Sequence, residues 1–290
     1  MFCVTAEVVP PRSGSGGPLS AQARELVGYA DAVNVTDNPT SSAHMSPVAG
    51  AAFVADAGLE PVMQITTRDR NRLGIASDLL GAWALGARNV LCLTGDPPSV
   101  GDQPEAKTVF DLGVLDLVSL VAGLREDGRL ATGHIQDAPR YFVGVADTPL
   151  TKGYDFGRLE QKAERGADFV QTQIVFDVDA FGAWAEAARR RGLLDRMFVM
   201  AGVAVPRSTA SARYMREHLP GVMVPDAVID RLEKAGPQAQ EEGVRLAVEI
   251  VAKLKTIAGI AGIHVMGLGR TEPVRSVIAA AGLLPRPTRA

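Results

Sequence analysis

The segment 61–98, PVMQITTRDRNRLGIASDLLGAWALGARNVLCLTGDPP, contains one complete unit of the pattern that decides the fold. It begins with the short apolar run Pro61–Thr66 and ends with a second one, Asn89–Thr94, each bounded by turn-forming residues. Between them, Arg72–Leu85 spaces its apolar residues three and four apart, as an amphipathic helix does, and Gly86 follows as a helix C-cap. A strand, a helix and a strand in this order predict two parallel strands joined by a helical crossover.

The same pattern recurs along the whole chain. The apolar runs are too short for helices, and several are continuous in Val, Ile and Leu, as in parallel strands that are covered on both faces. The predicted strands are Phe2–Val9, Ala32–Thr36, Pro61–Thr66, Asn89–Thr94, Tyr141–Ala146, Phe169–Val175, Phe198–Val203 and Gly262–Leu268. The segments between them that have helical spacing are Ser20–Tyr29, Pro47–Ala57, Arg72–Leu85, Leu115–Arg125, Phe156–Arg165, Asp179–Arg191 and Ser208–His218.

This alternation predicts the fold class. Eight strand and helix units are the number that closes a parallel sheet into a (β/α)8, TIM-type barrel, and we expect one such domain over residues 1–290. Residues 225–257 contain two helical patterns that are broken at Gly236, and we interpret them as an elaborated last crossover. An open doubly wound sheet is the alternative, but the Gly-x-Gly-x-x-Gly motif that would favour it does not follow the first strand.

Composition and charge argue against several classes of partner. The chain is 47% hydrophobic, which is enough to bury a core, and its formal net charge of −3 lacks the basic excess of a nucleic-acid-binding protein. No apolar run reaches the ~18 residues that a membrane helix needs. The two cysteines, Cys3 and Cys92, are too few for a disulfide framework, so a reducing cytoplasm is expected. A homo-oligomer is compatible with the sequence.

Polar residues cluster where the predicted strands end. In a (β/α)8 barrel the chemistry lies at the carboxyl ends of the strands, so polar residues there are informative. They are Glu7, Asn34, Thr36, Gln64, Thr66, Thr94, Asp96, Gln171 and Gln173. Because the strand ends converge in a barrel, we expect these side chains to surround one pocket.

Two of these residues are acids, and for each of them a structural role is the alternative to a role in the pocket. Glu7 is a candidate general acid, because a carboxyl group inside a strand that faces a pocket is desolvated and its pKa rises towards neutral pH. The structural alternative for Glu7 is a salt bridge with Arg12. Asp96 is either a pocket carboxylate or an ordinary residue of the turn Gly95–Pro98, and the spacing favours neither.

The remaining polar residues are less informative. Gln171 and Gln173 lie two apart on one face of a strand, where they could bond to each other inside the barrel or contact a ligand. The histidines have no metal-ligand spacing, and we predict no catalytic role for any of them. They are His44, His134, His218 and His264.

Three motifs carry a resemblance to a known family. The segment 7–12, EVVPPR, has a strand glutamate followed by Pro-Pro-Arg. The segment 93–98, LTGDPP, is a Gly-Asp-x-Pro turn, and the segment 172–177, TQIVFD, fits a Thr-Gln-x-x-(Phe/Tyr)-Asp strand. In this order and at these strand ends, the motifs resemble the methylenetetrahydrofolate reductase family of (β/α)8 barrels, and the resemblance covers nearly the whole chain.

The resemblance implies a reaction and a set of residues. The reaction is reduction of 5,10-methylenetetrahydrofolate to 5-methyltetrahydrofolate, with hydride from NADH or NADPH passing through FAD. Glu7 is implied as the acid that opens the five-membered ring of the folate, and Asp96 as the carboxylate that stabilises the resulting cation. Gln173 and Arg270 are implied in substrate binding. The residues implied at the flavin and nicotinamide are Thr36, Gln64, Gly95, Asp96, Asp155 and Lys162.

The chain departs from the family pattern near the flavin position. Thr94 stands where an Arg often precedes the Gly-Asp pair, and Gln64 replaces a His that is common in strand three. After strand five, the segment 144–149, GVADTP, lacks the usual Tyr and His. Direct hydride transfer from the nicotinamide without flavin is therefore one alternative. A non-catalytic barrel that binds a pterin or flavin for a methyltransferase is another.

Overall fold

Eight parallel strands form one closed barrel in the computed structural model, which describes residues 2–287. Each strand pairs with its neighbours in chain order, and the eighth pairs with the first, so the predicted fold class is confirmed. Met1 and residues 288–290 of the predicted domain lie outside the described residues. The strands are β1 (Cys3–Val8), β2 (Ala32–Val35), β3 (Glu60–Thr66), β4 (Asn89–Leu93), β5 (Phe142–Asp147), β6 (Phe169–Ile174), β7 (Phe198–Ala204) and β8 (Ile260–Met266).

Helices alternate with the strands. Three helices lie between β7 and β8, and the last two of them are separated at Gly236, whose φ is 52°. No helix in the described part of the chain is both long and apolar enough to cross a membrane. The helices are α1 (Gly17–Leu26), α2 (Pro47–Asp56), α3 (Arg72–Ala84), α4 (Val114–Asp127), α5 (Gly157–Glu164), α6 (Val178–Arg190), α7 (Thr209–His218), α8 (Asp226–Ala235), α9 (Ala239–Leu254) and α10 (Glu272–Ala280).

The prediction and the structure differ at the ends of several helices and strands, and most clearly at helix α1, at helix α10 and at a short antiparallel ladder. Helix α1 begins three residues earlier than Ser20, because Pro18 suits the first turn of a helix, and it ends ahead of Gly28, whose φ is 79°. The sequence prediction does not include helix α10, which follows β8. It also does not include the short antiparallel ladder in which Arg129–Leu130 pairs with Gly133–His134.

The barrel interior changes from apolar to polar along the strands. Its lower part, near the amino ends of the strands, is filled by Val62, Leu91, Phe169 and Met200. Side chains in a strand alternate between faces, so the next inward position on β6 after Phe169 is Gln171. This change places the polar residues of the barrel at its carboxyl end, the mouth, where (β/α)8 enzymes have their active sites.

A register shift between β6 and β7 depends on Gly202. The shift lies between Gln171 and Ile174, next to Gly202 on β7. The backbone N–H of Gly202 donates to Thr172 Oγ1 at 3.1 Å. A Cβ atom at Gly202 would lie 2.5 Å from the carbonyl oxygen of Thr172, which is too close. Glycine therefore lets β7 approach the shifted part of β6, where Gln173 is located.

We expect Gly202→Ala to lower the free energy of unfolding by about 1–3 kcal/mol, because the added methyl group meets backbone atoms that cannot rotate away. Urea denaturation measures this change. The matched control is Gly14→Ala, where a Cβ atom would have no neighbour within 4 Å. An unchanged denaturation midpoint for Gly202→Ala would show that β6 and β7 can separate without cost.

Candidate active site

Glu7 lies at the carboxyl end of β1 and shares the inward face of that strand with Cys3 and Thr5. Its carboxylate has no hydrogen-bond partner among the described residues, and 24% of its side-chain surface is exposed. Arg12 forms an ion pair with Asp102 instead, so the salt bridge considered for Glu7 is absent from the described residues. Burial raises the pKa of Glu7 to about 7, which makes it a proton donor near neutral pH.

His264 is the titratable neighbour of Glu7. It is fully buried on β8, and its Nε2 atom lies 4.0 Å from Glu7 Oε2. The other ring nitrogen, Nδ1, is 2.9 Å from Thr5 Oγ1. Burial lowers the pKa of His264 to about 3, so the imidazole is neutral. No catalytic role was expected for this histidine, yet β8 places it beside the predicted acid.

Several buried polar atoms near the mouth have no hydrogen-bond partner among the described residues, and two of them belong to the end of β2 and the residue after it. These two are Thr36 Oγ1 and Asn34 Oδ1, both buried. The Asn34 amide uses its Nδ2 to donate to Gln171 Oε1 at 2.9 Å. Val35 pairs with Met63, which puts Thr36 next to Gln64 on the neighbouring strand. A buried hydroxyl without a partner is costly, and a bound ligand could satisfy that of Thr36.

Asp96 is held by its backbone while its side chain is exposed. Its carbonyl oxygen accepts hydrogen bonds from Ser41 Oγ at 2.6 Å and from Arg68 Nη1 at 3.1 Å. Gly95, whose φ is 91°, makes the turn, and a Cβ atom there would lie 3.1 Å from the Cβ atoms of Thr66 and Arg68. Asp96 is therefore a turn residue whose carboxylate is left free at the mouth.

The loops around this turn are fixed by two charged residues that sequence patterns did not single out. Arg68 is 2% exposed and binds Asp69 through Nε at 2.6 Å. Asp37 is 4% exposed and accepts from the Thr66 backbone at 2.8 Å and from both terminal nitrogens of Arg70. Arg68 lowers the pKa of Asp69 by hydrogen bonding, which keeps this pair ionised.

A side pocket of about 390 Å³ lies between the ends of β4 and β5 and helix α5. Within it, Lys162 Nζ donates to the carbonyl oxygen of Ala146 at 2.6 Å and lies 3.9 Å from Asp147. Tyr154 also donates to Asp147, at 2.5 Å. Burial lowers the pKa of Lys162 and raises that of Asp147. The charged and polar residues of the side pocket are Thr94, Asp147, Thr148, Thr151, Tyr154, Asp155, Arg158 and Lys162.

The two residues implied in substrate binding have different surroundings. The amide of Gln173 donates to Pro220 O at 3.1 Å and accepts from the backbone of Ile174 at 2.9 Å. Both ends of the Gln173 amide are therefore hydrogen-bonded to the backbone. The bond to Gln171 that the sequence allowed is absent from the described residues. Arg270 is exposed in the loop after β8, and its guanidinium has no ion pair or hydrogen bond among the described residues.

The structure thus brings the predicted residues together in two groups. Strands β1 to β3 place Glu7, Thr36 and Gln64 around the inner mouth. The side pocket contains Asp155 and Lys162. Strand alternation puts His264 on the same face of β8 as Met266, but only the pairing of β8 with β1 brings it to the height of Thr5.

Comparisons with known proteins find similarity over nearly the whole chain. The family model described as methylenetetrahydrofolate reductase matches residues 1–282. Methylenetetrahydrofolate reductase 1 of Schizosaccharomyces pombe is 28% identical over 255 residues, which are 84% of this chain and 39% of that protein. The 5,10-methylenetetrahydrofolate reductase of Pectobacterium carotovorum is 24% identical over 231 residues, which are 79% of this chain and 72% of that protein.

A solved structure shares the fold. It is an uncharacterized protein from Clostridium thermocellum, described as binding two copies of 5-methyl-5,6,7,8-tetrahydrofolic acid. The TM-score is 0.66 at 14% identity, covering 97% of this chain and 94% of that one. Among the first curated relatives, from the two yeasts, the chain spans 36% to 40% of their lengths.

The burial of Glu7 predicts a pH-dependent effect of Glu7→Gln on stability. An acid whose pKa is raised by folding, here from 4.5 to about 7, costs stability as the pH rises through that interval. Glu7→Gln removes the buried charge. We therefore expect the variant to match wild type below the lower value and to be more stable by roughly 2–3 kcal/mol above the upper one.

Chemical denaturation at a series of pH values tests this expectation. The control is Glu217→Gln, at an exposed position on α7, which should show no such dependence. A constant difference between Glu7→Gln and wild type across the whole range would mean that Glu7 is not desolvated in the folded protein.

Proposed function

The chain belongs to the methylenetetrahydrofolate reductase family, whose model matches residues 1–282, and on this premise we propose that it reduces 5,10-methylenetetrahydrofolate to 5-methyltetrahydrofolate with NADH or NADPH. The observation that carries the proposal is the carboxyl group of Glu7, which lies partly buried at the mouth and has a pKa raised by burial to about 7, so that a substantial share of it is protonated at neutral pH. A neutral acid at this place is the group that the reaction needs. The folate named for the Clostridium thermocellum protein is the expected product and is consistent with the proposal.

Glu7 supplies the proton of the reaction. It donates a proton to the N10 nitrogen of the folate, the bond from N10 to the methylene carbon breaks, and an iminium cation forms between that carbon and N5. Hydride from C4 of the nicotinamide then adds to the methylene carbon and gives the 5-methyl product. One proton and one hydride are consumed, and the oxidised nucleotide leaves as the second product.

Other residues of the mouth bind the folate or the nucleotide and stabilise the iminium cation. The exposed carboxylate of Asp96 offers a negative charge to the iminium cation. Thr36 offers a hydroxyl that has no hydrogen-bond partner among the described residues, and Gln64 offers a buried amide. Gln173 would have to exchange its bond to Pro220 for one to the pterin. Arg270, whose guanidinium has no ion pair in the described part of the chain, suits a carboxylate of the folate or a phosphate of the nucleotide.

The residues of the side pocket do not fit the diphosphate of FAD. The ammonium of Lys162 already donates to Ala146 O, and the carboxylate of Asp147 lies 3.9 Å from it. Asp147 and Asp155 balance the charges of Lys162 and Arg158, so no net positive charge remains for a dianion. We therefore propose that hydride passes directly from the nicotinamide to the folate.

We also propose that the enzyme acts in a reducing cytoplasm, because Cys3 and Cys92 are both free thiols. Burial raises the pKa of the Cys3 thiol to about 11 and raises that of Cys92 as well. Neither thiol is therefore activated as a nucleophile.

We expect Glu7→Gln to retain the fold and to lose at least ~10²-fold in folate reduction, because the amide cannot donate a proton of suitable acidity. The measurement is oxidation of NADH or NADPH in the presence of 5,10-methylenetetrahydrofolate, with mass spectrometric detection of the product. In wild type the rate should fall as the pH rises through about 7, where Glu7 loses its proton.

The matched control is again Glu217→Gln, which removes an exposed carboxylate far from β1 in sequence. A wild-type rate in Glu7→Gln would remove Glu7 from the role of acid. No turnover of wild type with either nucleotide would overturn the proposed function.

A second expectation concerns the cofactor. Protein incubated with excess FAD and then passed through a gel-filtration column should carry no visible flavin absorbance, yet should still oxidise NADH or NADPH with the folate. Stoichiometric flavin that the reduced nucleotide bleaches would instead establish the flavin-dependent route. In that case Lys162→Ala should weaken FAD binding by about 1.5–3 kcal/mol, the loss of one charge-assisted phosphate contact.

A further inference from the structure

We propose that His264 is a positioning residue for Glu7: the hydroxyl of Thr5 fixes its neutral imidazole with the proton on Nε2, and this N–H donates to Glu7 Oε2. Glu7 Oε1 is then left to carry the acid proton towards the substrate. The inference rests on the proposed function only in what it says about the reaction. The three-residue contact itself stands on the geometry of β1 and β8.

Strand pairing brings the three side chains together. The closing register of the barrel pairs Thr5 directly with His264, and Glu7 follows two residues later on the same face of β1. His264 has no exposed surface, so its ring nitrogens must find partners within the protein. Nδ1 has Thr5 as its partner at 2.9 Å, whereas Nε2 has no hydrogen bond among the described residues.

The two contacts of the Thr5 hydroxyl bear on which ring nitrogen of His264 carries the proton. The Thr5 hydroxyl has one hydrogen and two acceptors in reach, His264 Nδ1 at 2.9 Å and the carbonyl oxygen of Ile263 at 3.4 Å. The shorter contact is of ordinary hydrogen-bond length, and the longer one lies outside that range. In the proposed arrangement Thr5 donates to Nδ1 rather than to Ile263 O, which leaves the proton of the neutral ring on Nε2.

Glu7 is the acceptor that remains for this N–H. Its Oε2 atom lies 4.0 Å from Nε2 of His264. Among the described residues, no other side chain forms an ion pair with Glu7 within that distance. Catalytic hydrogen bonds are often long without substrate and shorten in the complex, and a displacement of about 1 Å would bring these two atoms within hydrogen-bond distance. Asn34, beside Glu7 on β2, carries no charge.

The contact has two consequences for proton donation. A donor on Oε2 fixes the carboxyl group so that the proton resides on Oε1, on the side away from His264. After the proton has left, the same N–H stabilises the carboxylate by a charge-assisted hydrogen bond. His264 therefore acts through Glu7 and does not itself transfer a proton, so its nitrogens keep the same protonation state throughout the reaction.

Nuclear magnetic resonance on the intact protein tests the contact without the reaction. The ¹⁵N shifts of His264 should identify the Nε2–H form, and ¹³C titration of the Glu7 carboxyl should give its pKa in wild type and in Thr5→Val. Valine has the shape of threonine without the hydroxyl, so the tautomer is released and the pKa of Glu7 should rise by about one pH unit. Thr5→Ser, which keeps the hydroxyl, should recover most of the wild-type value.

Steady-state kinetics link the contact to the reaction. In Thr5→Val, kcat should fall about tenfold, the equivalent of one ordinary hydrogen bond, and the high-pH limb of the rate profile should move up with the pKa of Glu7. A purely structural role would lower the rate without moving that limb.

Two results would overturn the inference: an Nδ1–H tautomer in wild type, or a Glu7 pKa that is unchanged in Thr5→Val. A wild type that has the Nε2–H form and the expected titration but no reductase activity would overturn the proposed function alone, with the contact still established.

Discussion

The pairing of the first strand with the last is the constraint on which the rest of this structure depends. Cys3, Val4, Thr5 and Ala6 pair with residues about 260 positions later in the chain, and this ladder closes the barrel. Closure gives every inward-facing side chain neighbours on both sides, so a carboxyl group there cannot reach bulk water freely. The burial of Glu7 follows from this, and so does its position beside His264.

Desolvation acts in opposite ways at the two polar regions of the barrel. Glu7 and His264 face each other with no opposite charge, so burial favours the neutral form of both and keeps an acid ready to donate. In the side pocket, burial places Lys162 close to Asp147, and their mutual attraction opposes the loss of charge. Glu7 therefore keeps a proton that it can donate, whereas the charges of Lys162 and Asp147 neutralise each other.

Loop anchoring explains how exposed groups keep a defined position at the mouth. Asp96 is the residue for which the sequence favoured neither a turn role nor a pocket role, and the structure shows that its backbone and side chain differ. Its carbonyl oxygen is bound by Arg68 and Ser41, while its carboxylate remains exposed. A rigid backbone that presents a free charge avoids reorganisation when a cation forms nearby.

The sequence by itself determined the barrel, the position of Glu7 on an inward face and the family, because these depend on local periodicity and on motifs within a few residues. It also placed Asp155 and Lys162 on one helix. Only the tertiary structure decided which partner each polar group has. Arg12 binds Asp102 rather than Glu7, Lys162 binds Ala146, and His264 lies beside Glu7. The physical reason is that burial and hydrogen bonding depend on residues that are distant in sequence, which are brought together only when the barrel closes.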